Sequence, residues 1–208
     1  MSFFRRFFGQ TIGPSKGPPS PTPEQQVGEL ERRAEGAPLG TKGTLLNRAG
    51  DVFMRAGNHQ KALYYFRRAI DLLLEDEQPE PARGVAKKII RVHPDTVRTH
   101  CTLTWLDLAN QHPGTARKSL REYFACVEKR GLADEAGPQI LEMAKVTTHK
   151  GFLEEASEIL EKLGFGERAE LVEAWAMDGG AALAQKNPEK LSKHCLEAAI
   201  ASEGSERG

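Results

Sequence analysis

The segment NRAGDVFMRAGNHQKALYYFRRAI, residues 47–70, decides how the rest of the chain is read. Small residues and aromatics recur in it at regular intervals, and no catalytic group stands among them. With Leu46 just before it, Ala49, Gly50 and Phe53 mark a first helix, and Ala62, Phe66 and Ala69 mark a second. Gly57–Asn58 between them is a turn signal. Gly50, Ala62 and Ala69 let two antiparallel helices approach closely, while Phe53 and Phe66 fill the space that remains. The stretch predicts a helical hairpin built for packing, with most of its core energy in aromatic rings.

Outward from this hairpin the same pattern weakens but persists. From Thr44 to about residue 202 apolar residues follow a helical period, broken at 57–58, 78–81, 93–94, 111–114, 131, 150–151, 164–166 and 187–188. That punctuation gives about nine helices joined by short turns. β-Branched residues are sparse and alternation never persists, so the class is all-α. At His93-Pro94-Asp95 proline ends one helix, and Asp95 or Thr96 caps the next. Weaker copies of the spacing run through Leu120, Tyr123, Phe124, Val127, Gly131, Ala136 and Ile140, then through Met143, Ala144, Thr147, Gly151, Ala156 and Leu160. His100 and Asp107 stand where the pattern asks for bulky apolar side chains.

The order Leu46, Ala49, Gly50, Phe53, Ala62, Phe66 is similar to the W-x2-L-G-x2-Y and A-x3-F marks of the tetratricopeptide repeat family, with leucine for tryptophan and phenylalanine for tyrosine. The resemblance covers roughly residues 44–202 and is most specific in this one repeat. A plain helical bundle also spaces alanines and leucines, but it does not repeat glycine, alanine and aromatic marks in this order. The resemblance implies an α-solenoid of antiparallel helix pairs, each helix packing on both neighbours. It also implies a concave groove lined by the first helix of each pair. On that face it places Asn47, Asp51 and Met54, then Cys101, Trp105 and Leu108, then Leu141, Lys145 and Thr148. A partner's peptide or helix would lie there with Trp105 as anchor, because a grooved aromatic can dominate binding energy. The other reading of Trp105 is a core tryptophan. The family's chaperone-tail clamp uses lysines and asparagines on this face, and only Asn47 and Lys145 qualify, so that activity is not expected.

Composition narrows the remaining classes. At 208 residues there is room for one domain and a tail, and 29 basic residues balance 29 acidic ones, so no net field draws nucleic acid to the molecule. Cys101, Cys126 and Cys195 lie far apart without paired spacing, which fits free thiols in a reducing, cytoplasmic setting. No apolar run approaches the roughly 18 residues of a membrane span. The expected plan is an amphipathic segment at 1–10, a flexible Pro/Gly-rich linker at 11–43, the helical repeat domain at 44–202 and a disordered tail at 203–208. Within the linker, residues 24–35 have the charge pattern of a short solvent-exposed helix, weakened by Gly28.

The opening FFRRFF carries a second signal. Phe3, Phe4, Phe7 and Phe8 form an apolar stripe if the segment turns helical, with Arg5 and Arg6 outside it. It reads as a docking peptide for a groove on a partner or on this domain, as a weak anchor at an anionic membrane surface, or as a frayed tail.

Candidate chemistry is thin. His93, His100, Cys101 and His112 cluster in sequence, yet none of the usual metal-ligand spacings joins them, and neighbours His100 and Cys101 point about 100° apart on a helix. Arg83, Lys87 and Arg91, with Lys88 beside them, share a helix face that reads as a basic groove or as a solvated flank neutralised by Glu75, Asp76, Glu77 and Glu80. The sequence therefore points to a non-enzymatic adaptor for a protein partner, without metal, cofactor, small-molecule substrate or nucleic acid. A peripheral membrane assembly factor held by FFRRFF and a helical enzyme using the His100 region are the alternatives.

Overall fold

The structure is a computed structural model that describes residues 21–179 and 193–200, and all regular structure among them is helical. In chain order the helices are α1 (Pro23–Glu35), α2 (Leu39–Arg55), α3 (His59–Glu75), α4 (Pro79–Val92), α5 (Val97–Ala109), α6 (Pro113–Arg130), α7 (Ala133–Lys145), α8 (Lys150–Lys162) and α9 (Gly166–Met177). Residues 193–200 are helical as well. The segment 1–10 and the tail 203–208 lie outside the described residues.

Five helix junctions are built as the same turn. Gly57, Glu77, Gln111, Gly131 and Gly164 each take a left-handed backbone, with φ from 54° at Glu77 to 86° at Gly164. The following amide then donates back across the turn: Asn58 to the Phe53 carbonyl at 2.9 Å, Gln78 to Leu73 at 2.8 Å, His112 to Asp107 at 2.9 Å, Leu132 to Val127 at 3.2 Å and Phe165 to Leu160 at 2.9 Å. This Schellman closure satisfies carbonyls that the helix end leaves orphaned. A buried alanine follows at one fixed offset in every case, at Ala62, Ala82, Ala116, Ala136 and Ala169. A side chain of one methyl lets the next helix fold back tightly. The device recurs three helices apart, after α2, α5 and α8, and again after α3 and α6.

Close approach is also visible at the glycines. A methyl on Gly50 would overlap the fully buried Phe66 ring, and one on Gly137 would overlap the Phe165 ring. Helices pack mainly on their sequence neighbours, with further contacts of α6 to α8 and α7 to α9. One apolar cluster runs without a break from Val27 to Ala199. A residue of this size class buries roughly 1.5–3 kcal/mol of side chain when fully enclosed, so Phe66, Ile70, Phe152 and Ile140, all at the zero end of exposure, anchor the cluster.

The helical region starts earlier than the sequence pattern indicates. Residues 23–43, expected as part of a flexible linker, form α1 and the first turn of α2. Thr22 and Gln25 make a reciprocal capping box at the start of α1, and Pro23 occupies a first-turn position where its missing amide costs nothing. Val27 and Ala34 are buried and Leu30 packs against the core, so this helix is not solvent-exposed all round. Its apolar stripe is narrow, which is why a charged composition hid it.

α5 is enclosed on every side. Residues 99–107 are all buried, among them Thr99, His100, Thr102, Thr104 and Asp107. α4 and α6 flank it, and the ring of His194 meets Trp105 edge-on at 5.9 Å. A helix without an amphipathic face belongs inside, and its polar groups then need partners from its neighbours.

Candidate functional site

Three polar anchors tie separated helices together. Lys88 of α4 donates to Asn47 at 2.8 Å and to both carboxylate oxygens of Asp51 at 2.7 and 2.8 Å on α2. Arg83 of α4 pairs through Nε with Oδ1 of Asp107, 1% exposed on α5, while Ser119 Oγ of α6 donates to Oδ2 at 2.6 Å. Glu155 of α8 accepts from Arg117 at 2.9 Å and pairs with Arg121 at 2.5 Å on α6. Hydrogen bonding from Arg121, then from Arg117, holds the Glu155 carboxyl below its usual range against the opposing effect of burial. The basic face of α4 is therefore not an open groove; of the upstream carboxylates expected to neutralise it, Glu80 pairs with Arg83 at 3.6 Å. Arg83 and Lys88 turn inward onto α5 and α2, and Lys87 and Arg91 stay exposed.

These anchors and the burial of α5 redistribute the residues placed in a groove by sequence. Asn47 and Asp51 are held by Lys88. Met54 and Leu141 are half-buried against the core, and Cys101 is buried. Trp105 is core, not an open anchor: it is fully enclosed, its Nε1–H donates to Gln139 Oε1 at 3.4 Å, and His194 covers its edge. Lys145 is engaged with Glu142 at 2.5 Å. Leu108, near the end of α5, and Thr148, which lies in the non-helical junction between α7 and α8 and not on a helix face, do share a cleft. They line one open cleft of about 550 Å³ between the α5–α6 turn and the α7–α8 junction, with Pro113, Val146, Thr147 and His149.

His100 and Cys101 face different neighbours. His100 donates from Nε2 to the Pro94 carbonyl at 2.7 Å, and its Nδ1 lies 3.8 Å from Glu122. Cys101 bonds to Tyr123, whose phenol is pushed far up by burial. Burial also raises the Cys126 thiol, and it pushes Cys195 up to about 12. Among the described residues no three His, Cys, Asp or Glu side chains gather in a metal-binding arrangement, and no helix is long and apolar enough to cross a membrane.

Two further hollows escaped the sequence reading. One, of about 510 Å³, lies between α1 and the α2–α3 hairpin, with Val27, Phe53, Tyr64 and Tyr65 as walls and Glu24, Glu31 and Lys61 at its rim. Tyr65 donates to Glu31 at 2.9 Å, and burial followed by that carboxylate lifts its phenol to about 12. Lys61 pairs with Glu24 at 3.1 Å and lies 4.9 Å over the Phe53 ring. The other, of about 380 Å³, carries Arg67, His93, Arg98 and Arg130 against Glu135, and Arg67 and Arg98 both engage other groups of the protein. The adjacent tyrosines of ALYYF were the available signal for the first, since one must point away from the core at helical spacing.

No protein-family model matches the chain, and no curated protein or solved structure matches it either.

Proposed function

We propose that this chain is a non-enzymatic interaction scaffold: a tetratricopeptide-like solenoid of stacked helix hairpins that holds a peptide or helix of a partner protein. The observation that carries this reading is the meeting of Leu108 and Thr148 in one open cleft. Both were placed on a partner-binding face by the family resemblance, and they are distant in sequence, Leu108 on α5 and Thr148 in the α7–α8 junction. The cleft mixes apolar walls at Leu108, Pro113 and Val146 with hydroxyls at Thr147 and Thr148. Repeated Schellman turns support the stacked arrangement, since each hairpin presents its neighbours with the same backbone geometry.

The test is selection of peptides from a display library against the full chain. Enriched peptides lose at least about tenfold in affinity, or about 1.4 kcal/mol, when Thr148→Trp fills the cleft or Leu108→Asp charges it. The same peptides keep their affinity for Tyr64→Ala, which lies in a different hollow. Selection that yields no peptide, or peptides indifferent to both cleft substitutions, removes the reading.

A further inference from the structure

The hollow between α1 and the α2–α3 hairpin is an aromatic groove with an acidic rim and a side chain left in water: Tyr64 is 54% exposed beside half-buried Tyr65 and buried Phe53. Phe53 and Tyr65 stack at 5.5 Å, and Tyr64 meets Tyr65 edge-on at 5.2 Å. Of these rings Tyr64 is the one open to an incoming aromatic, with Tyr65 partly so and Phe53 buried beneath them. Cations already settle on it, with Lys61 over Phe53 and Arg68 at 5.5 Å over Tyr64. We infer that residues 3–8 of the same chain, FFRRFF, dock in this groove as an intramolecular ligand.

The chemistry of the segment matches the groove on both counts. If residues 3–8 turn helical on docking, Phe3, Phe4, Phe7 and Phe8 share one side, and Arg5 and Arg6 fall outside that stripe. The stripe would lie on exposed Tyr64 and half-buried Tyr65, with Phe53 and Val27 beneath them, and the two guanidiniums would compete at the rim for Glu24, now paired with Lys61, and Glu31, now accepting from Tyr65. Lengths agree as well. Glu24 and Glu31 are about two turns apart, roughly 10 Å along α1, and six helical residues span about 9 Å.

The connection favours this occupant over a second copy. Residues 9–20, which end in GPPS, join the segment to Pro21 and Thr22 just ahead of α1, and Glu24 in the first turn of that helix already lines the groove. Twelve residues reach at most about 40 Å and on average about 20 Å. So short a tether sets an effective concentration on the order of millimolar, far above that of a second copy at micromolar protein. A groove affinity of only about 0.1 mM then keeps the arm docked roughly ten times as often as free. This docking is independent of partner binding in the α5–α8 cleft.

Paramagnetic relaxation in the full chain tests it. A nitroxide goes on Gln60→Cys at the groove rim, since Gln60 is exposed and Cys101, Cys126 and Cys195 are buried. Docking attenuates the amides of residues 3–8 more than those of the intervening 9–20, and dilution leaves the pattern unchanged. Tyr64→Ala, and separately Phe4→Ala with Phe7→Ala, collapse the roughly tenfold docked excess to about one while the helical signals stay in place. Attenuation that falls smoothly from residue 20 to residue 3 means an undocked arm and overturns the inference. Attenuation that persists in a mixture of spin-labelled and isotope-labelled copies means a second copy occupies the groove, and it overturns the inference too. So does an arm that stays at reference intensity and sediments the chain with anionic vesicles.

Discussion

The α2–α3 and α5–α6 hairpins share a backbone and differ in what lies beneath it. Both close with a left-handed residue, Gly57 in one and Gln111 in the other, and both place a buried alanine at the same offset, Ala62 and Ala116. At the carbonyl that accepts the closing bond, one has Phe53 and the other Asp107. The first hairpin is sealed by rings, with Phe66 lying directly on Gly50. The second is sealed by a carboxylate that Arg83 reaches from α4 and Ser119 reaches from α6. One turn geometry thus tolerates an apolar or an ionic core, provided that a third helix supplies the counter-charge.

The largest expected effects strike the two seals. Arg83→Met leaves Asp107 buried without its cation and costs about 3–5 kcal/mol in urea unfolding. Phe66→Ala in the other hairpin opens a cavity at a similar cost, about 3–5 kcal/mol. The sharper test combines Arg83→Met with Asp107→Leu and Ser119→Ala. Stability then returns to that of the wild type or exceeds it, because an apolar set of similar volume replaces the ion pair without its desolvation penalty. If Arg83→Met alone costs no more than a surface change, the ionic account of the second hairpin is wrong.

Gly50→Ala comes next, at about 1–3 kcal/mol, since its methyl would press on an immobile ring. Gly28→Ala, with nothing near its would-be methyl, goes the other way and stabilises α1 by about 0.5–1 kcal/mol. The α6–α8 anchor has a smaller, pH-dependent share. The folded Glu155 carboxyl lies below its unfolded value, so its contribution is present above the ordinary carboxylate range and fades as pH falls through the folded value. Acid titration of Tm shows a shallower loss for Glu155→Gln than for wild type. Both arginines are over a third exposed, which keeps the effect below that of the Asp107 pair.

The smallest effects separate the two turns themselves. Gln111→Gly relieves a left-handed backbone and stabilises by about 1 kcal/mol, while Gly57→Ala imposes one and costs about the same. Thermal unfolding of both reads the difference. Equal shifts in the same direction would mean that the two turns are not equivalent after all.

Much of the helical layout was legible because its signals are local. Gly57, Gly131 and Gly164 marked turns, and Ala62, Ala136 and Ala156 marked buried positions. Glu77 and Gln111 do the same work without glycine, so the identity of the five turns shows only in their dihedral angles and closing bonds. α1 was underestimated because Val27, Leu30 and Ala34 are few among charges, and what buries them is α2. Of the proposed groove residues, Leu108 and Thr148 share a cleft, whereas Trp105 is sealed by Gln139 and His194, which lie far along the chain.

Helical period, turn residues and small side chains at crossings are written along the chain at separations of a few residues, and they fix where helices start, stop and fold back. Whether Arg83 meets solvent or Asp107, and whether Asn47 and Asp51 are free or held by Lys88, depend on how α4 registers against two other helices. Those pairings follow from burial across the whole molecule, since a charge enclosed by packing must find its partner wherever the neighbouring helix delivers one.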